Sequence, residues 1–220
     1  MDVNRVGVAG HSNGAYTAMT VAGAQPKMGP SNTAQNFKYV GTASRPAPLA
    51  YLAASVQGEN DHGFFRTSAS SHSWVSVVSP NAEERPVMTI TGYDDCPGAT
   101  AAVCHDATDP LDPESSLNRV TAFENMQAVS GADDKIQVWV DVADAEHPDF
   151  NLKTDTGTYD AQIFDVVEAA GKAWFDAILN SNAGAFTYLR SDKLKTLMPA
   201  GAKLPGDSSA VDICRANLVQ

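Results

Sequence analysis

Positive charge is in short supply: 15 lysines and arginines face 26 aspartates and glutamates in 220 residues, a formal net charge of -11 with the histidines neutral. Such a balance repels polyanions, so no nucleic-acid partner is expected, and anionic membrane surfaces are disfavoured as well. Long apolar runs are missing too. No stretch approaches the ~20 residues of a membrane helix, so no membrane span is expected. The opening Met1-Asp2-Val3-Asn4-Arg5 lacks the charged-then-apolar pattern of a secretory leader. Cysteine is scarce, and the three present are Cys96, Cys104 and Cys214. Cys96 and Cys104 lie close enough in a Gly- and Asp-containing loop to close a local disulfide in an oxidising compartment. Reduced thiols in an intracellular protein are the alternative. Internal repeats and low-complexity tracts are also absent. What remains, 43% hydrophobic and 19% charged, suits one domain over residues 1–220 with a single sizeable core.

Periodicity divides the chain into alternating elements. Residues 5–9 form a short β-prone run, and residues 15–24 follow with Ala15, Ala18, Met19 and Ala22 on one helical face. The Pro- and Gly-rich stretch 25–48 reads as loop, 49–56 as a buried strand, 68–80 as irregular and 86–91 as a third strand. Residues 115–129 read as a helix with Leu117, Val120, Phe123 and Met126 inward, and 136–142 as a fourth strand followed by a loop at 143–150. The longest helix is predicted at 160–179, where Ile163, Val166, Val167, Ala170, Trp174 and Ile178 recur at three- and four-residue spacing. A shorter helix is predicted at 191–197, and the tail beyond Pro199 reads as loop. Strands separated by helices or long connections predict an α/β layered fold with a mostly parallel sheet.

One motif carries chemistry. Gly10-His11-Ser12-Asn13-Gly14 fits G-x-S-x-G, the turn that lifts a serine hydroxyl above the edge of a sheet between a strand and a helix. The pattern alone is common. The β-prone run directly before it and the small-residue helix directly after it supply the context it requires. Glycines are expected on both sides because side chains there would collide with neighbouring elements. Ser12 then stands as nucleophile at a helix N-terminus, with the Asn13 N–H as one oxyanion donor.

Such an elbow needs an acid after a later strand and then a histidine. Asp94 and Asp95 close the third strand, and His147 follows the fourth. Either aspartate could hold the imidazole as it serves Ser12 as general base. His11 reads as an elbow side chain packed beside the serine, and His62, His72 and His105 lie in polar loops out of order for a base. The acidic loop carrying Asp106, Asp109, Asp112 and Glu114 lacks EF-hand spacing, reads as solvated, and no metal site is expected.

These residues resemble a known family. VGVAGHSNGAYTAMTVAGA at 6–24 is similar to the elbow region of bacterial proteins described as predicted dienelactone hydrolases. They are a branch of the α/β-hydrolases near the platelet-activating-factor acetylhydrolase and chlorophyllase-like esterases. Ser55-Val56-Gln57-Gly58 resembles a Ser-Pro-Gln-Gly element, and Ser73-Trp74 a Ser-Trp ahead of the acid strand. PVMTITGYDD at 86–95 resembles the acid strand itself, and its spacing selects Asp95, with Asp94 as the alternative. Ala145-Glu146-His147 with Phe150 is similar to the element that carries the histidine.

The resemblance implies an α/β-hydrolase fold and hydrolysis of small-molecule or polymeric carboxylic esters through an acyl-serine, with no metal or organic cofactor. True dienelactone hydrolases use a cysteine nucleophile, so Ser12 favours esterase or lipase-like chemistry. A weakly active or non-catalytic module that keeps the elbow as structure is the first alternative, and an acyltransferase the second. Family members carry roughly half of their sheet, and the loop with the second oxyanion donor, ahead of the elbow. On that comparison the chain is the C-terminal portion, with the N-terminal strands missing. Residues 3–9 would then be an edge strand open to self-association, and any signal for a secreted or periplasmic location would lie in the missing part.

Overall fold

A computed structural model describes residues 2–24, 27–28, 33–34, 39, 41–56, 86–96, 115–124, 135–143, 145–151, 157–202 and 209–215. In chain order the elements are β1 (Gly7–His11), α1 (Asn13–Ala22), the two-residue strands β2 (Lys27–Met28) and β3 (Thr33–Ala34), β4 (Ala50–Ala54) and β5 (Val87–Gly92). There follow α2 (Ser116–Glu124), β6 (Lys135–Val140), α3 (Asp160–Leu179), α4 (Ala183–Arg190) and β7 (Val211–Arg215), with single 3-10 turns at Asp149–Asn151 and Lys195–Leu197.

Five strands form one sheet in the order β1-β4-β5-β6-β7, and β2 pairs with β3 apart from it. The first four strands are parallel, and β7 closes the far side antiparallel to β6. The class is therefore α/β. In a parallel sheet covered on both faces the strands read as continuous apolar runs, and every residue of β4 and β5 is buried. The end strand β1 is only half-buried.

Side chains alternate between two cores, as the two-residue repeat of a strand requires. Ala50, Leu52 and Ala54 of β4 point to one face with Met88, Ile90 and Val138, where α3 supplies Ile163, Val166, Ala170, Trp174 and Ala177. Tyr51 and Ala53 point to the other, where α1 supplies Ala15, Met19 and Ala22 and α2 supplies Phe123. Trp174 is fully buried, and its indole N–H donates to the Tyr51 carbonyl at 3.0 Å, tying α3 to β4.

Several expectations are revised. The tail contains β7, where Val211-Asp212-Ile213-Cys214-Arg215 pairs along the whole of Ile136 to Val140. This short segment is held by β6 rather than by its own pattern. In place of a helix at 191–197 the chain forms α4 and a single 3-10 turn. Asn182 starts α4, its side-chain oxygen accepting from the N–H groups of Gly184 and Ala185 at 2.9 and 3.3 Å. The buried face of α2 is also rotated: Asn118, Arg119 and Phe123 are buried, with Ser115 and Ser116 ahead of them, while Leu117 and Val120 are only half-buried. Met126 and the 68–80 segment lie outside the described residues.

Trp174→Ala should lower stability by about 3–5 kcal/mol, because it opens a large cavity between α3 and the sheet. Trp174→Phe should cost less, having lost mainly the indole bond, worth about 1 kcal/mol. Glu168→Ala, on the exposed side of the same helix, should stay within ~0.5 kcal/mol. Denaturant unfolding of the three variants checks the order, and equal losses would contradict this packing.

Candidate functional site

The four parallel strands end at one edge, and the residues singled out in the sequence gather there. β1 runs into Ser12, whose N–H still donates to the Ala54 carbonyl of β4 at 3.0 Å. Ser12 has φ 54° and ψ -120°, and α1 starts at the next residue. A serine in the left-handed half of backbone space stores strain, of order 1–3 kcal/mol, that the surrounding structure must enforce. Gly10 shows how: a Cβ there would coincide with the carbonyl of Gly14. The expectation that both glycines are sterically required is corrected at Gly14, where a Cβ would meet nothing within 4 Å. Gly14 already lies in the first turn of α1, and only Gly10 sits where strand and helix touch.

The acid and histidine loops are built on each other. Asp94 and Glu146 form an isolated parallel bridge beyond the Gly92 and Val140 pair that ends the β5 and β6 ladder. Gly92 makes the approach feasible, since a Cβ there would crowd Ala145, Phe150 and the Val140 carbonyl, each within 3 Å. The turn around His147 is set by the buried Asp149, whose Oδ2 accepts from the Glu146 N–H at 2.9 Å. His147 Nδ1 then donates to Asp95 Oδ1 at 2.7 Å. Of the two adjacent aspartates it is therefore Asp95, fully buried, that meets the imidazole, while 28% of the His147 side chain remains open to solvent.

The serine turn and the histidine loop also touch. His11 Nε2 donates to the backbone carbonyl of His147 at 2.8 Å, and the two rings lie 4.5 Å apart between centroids. Burial holds the His11 pKa below its usual value, the bond to the His147 carbonyl only partly opposing this. A neutral ring with its proton on Nε2 fits that bond. Ser12, Asp95 and His147 are thus brought to one edge by the His11 bond to the His147 carbonyl, the His147 bond to Asp95 and a ring contact.

A residue not anticipated as part of the site sits behind it. Arg119 of α2 is buried; its Nε donates to the Asp95 carbonyl at 2.6 Å and faces Asp95 Oδ1 at 3.0 Å, while Nη1 donates to the Ser55 carbonyl at 2.5 Å. Nη2 lies 3.2 Å from His147 Nδ1. Thr91 completes the carboxylate shell by donating to Asp95 Oδ2 at 2.7 Å. Burial alone would raise the Asp95 pKa. The Arg119 guanidinium and then the hydrogen bond from His147 outweigh it and hold the carboxyl below its usual range. The Leu117, Val120, Phe123 spacing hid Arg119, since an arginine between apolar positions ordinarily reads as solvated. Its one signal was a lone cation in a helix whose first turn carries Ser116 and Asn118 beside Leu117.

Cys96, buried at the end of the acid loop, is disulfide-bonded. Its expected partner Cys104 lies outside the described residues, as do His62, His72, His105, the pair Ser73-Trp74 and the acidic loop with Asp106, Asp109, Asp112 and Glu114. Among the described residues no group of three or more His, Cys, Asp or Glu side chains could hold a metal ion. No helix among them is long and apolar enough to cross a membrane.

The two glycines of the turn should respond oppositely. Gly10→Ala forces backbone against backbone and should destabilise the chain by ~2 kcal/mol or more. Gly14→Ala replaces a helical glycine in open space and should gain about 0.5–1 kcal/mol. Thermal unfolding of both variants reads the signs, and a destabilised Gly14→Ala would restore the two-sided requirement.

No protein-family model matches this chain, and no curated protein sequence matches it.

Proposed function

We propose that this chain is a serine hydrolase of the α/β-hydrolase type that cleaves carboxylic esters through an acyl-Ser12 intermediate. The observation that carries the reading is the 2.7 Å bond from His147 Nδ1 to the buried Asp95, on a loop bonded to the residue directly before the strained Ser12. A strained serine between a strand and a helix, at the same sheet edge as an imidazole oriented by an ionised carboxylate, is an arrangement that serves nucleophilic catalysis.

The steps follow from these groups. With its Nδ1 proton committed to Asp95, His147 presents a lone pair on Nε2 and takes the Ser12 hydroxyl proton as Oγ attacks the ester carbonyl. Negative charge develops on the former carbonyl oxygen at the N-terminus of α1, where the Asn13 N–H and the helix dipole stabilise it. The tetrahedral adduct collapses as His147 returns the proton to the departing alcohol. Water then repeats the sequence on the acyl-serine and releases the acid. Asp95 stays ionised throughout and stabilises the imidazolium formed at each attack.

Ser12→Ala should abolish both hydrolysis of a p-nitrophenyl ester and covalent labelling by a fluorophosphonate, with the circular dichroism spectrum unchanged. His147→Ala and Asp95→Asn should each lower kcat by about 1,000-fold or more, because members of such a set act as a unit. Hydrolysis that survives Ser12→Ala would refute the nucleophile. Turnover that rises with an added alcohol and yields mainly the new ester would assign the chain to acyl transfer instead.

A further inference from the structure

We propose that Arg119 is a positioning residue of this site: it locks the Asp95 carboxylate and the strained carbonyl of Ser55 into one rigid fork, and so fixes the tautomer and orientation of His147. The proposal rests on the ester-hydrolase reading of Ser12, Asp95 and His147.

Three loops meet on one guanidinium. The loop after β4 contributes the Ser55 carbonyl, the loop after β5 contributes both the carbonyl and the carboxylate of Asp95, and the loop after β6 contributes His147. Ser55 has φ 51°, a second non-glycine residue in the left-handed region, and it is fully buried. Its N–H donates to the Ile90 carbonyl at 2.7 Å while its own carbonyl turns to Arg119. Backbone strain of this kind persists only where neighbours enforce it, and Arg119 is the neighbour that uses the carbonyl so exposed. A planar guanidinium suits the task, because its donors diverge in a fixed fork that an ammonium cannot reproduce.

The contact to His147 decides the tautomer. A single Nδ1 cannot both donate to Asp95 and accept from Arg119. The 2.7 Å approach to an anionic acceptor prevails over the 3.2 Å approach of Nη2. Held by Arg119 on one side and Thr91 on the other, the carboxylate keeps Oδ1 aimed at the ring. Without the guanidinium, burial would favour the protonated acid, which no longer demands the Nδ1 proton.

The test combines kinetics with a readout independent of turnover. In R119M, kcat should fall by ~100-fold with KM nearly unchanged, and in R119K by ~10-fold, the scale on which a small misplacement of a catalytic group is felt. Since Arg119 lowers the Asp95 pKa, its loss should move the acidic limb of the kcat/KM profile to higher pH. Added guanidinium should recover part of the R119A deficit. The hydrogen-bonded Nδ1 proton of His147, assigned by its absence in His147→Ala, should give a downfield proton resonance in the wild-type chain and weaken or shift in R119K and R119M. R119M activity within twofold of wild type, or a loss that neither moves the pH limb nor responds to guanidinium, would overturn the proposal. If the wild-type chain neither hydrolyses esters nor labels at Ser12, the ester-hydrolase reading fails. The resonance then still decides Arg119, since an unaltered signal in both variants overturns its positioning role and a lost one supports it.

Discussion

A carboxylate with no access to water lies at the end of β5, and much of the surrounding edge is arranged as its solvation shell. Isolated, such a charge would cost several kcal/mol or neutralise itself. Asp95 avoids both through a guanidinium, a threonine hydroxyl and an imidazole N–H, drawn from α2, from its own strand and from the loop after β6. Each contributor is fixed in turn: Arg119 by two backbone carbonyls, and the His147 loop by the Asp149 side chain. The compactness of this edge follows from the demand of one buried charge.

That demand explains why small residues stand where they do. Gly92 leaves room for Ala145 and Phe150 to pass over the end of β5, so that the histidine loop can reach the acid. Gly10 lets α1 turn back tightly onto β1, which leaves Ser12 in its strained conformation beside the same loop. Sheet register brings the three loops to one edge, and these two glycines bring them within contact.

Much of this was legible in the amino-acid order because it depends on local patterns. The helix at 160–179 has the bounds its apolar periodicity implies, and the four parallel strands lie within two residues of their apolar runs. The placing of Ser12, of the Asp94 and Asp95 pair and of His147 at one edge was legible for a different reason, since strand-turn-helix context and chain order constrain them, while the choice of Asp95 came from the family resemblance. What escaped was set by tertiary partners. β7 exists because β6 offers a free edge, and Val211 and Ile213 alone are too short a signal beside the Gly and Pro that precede them. Arg119 escaped because burial of a cation depends on an anion that lies 24 positions away in the chain, and no period records that. The face of α2 was misjudged by the same cause, since turning Arg119 inward to Asp95 sets which side of the helix is buried.

The sheet order has a chiral consequence. β1, β4, β5 and β6 are adjacent in the sheet in the order in which the chain makes them, so successive crossovers of one hand must deposit their helices on the same side. α1 and the Phe123 side of α2 do share one core, whereas α3, which leads into an antiparallel strand, occupies the other. Handedness thus delivers the Ser12 turn and the Arg119 cation from a single flank, and leaves α3 and α4 without a residue in the set formed by Ser12, Asp95, Arg119 and His147. The second flank reaches that set only from beneath, where Phe150 and Ala145 of the histidine loop share a core with Ile163, Val166 and Trp174 of α3.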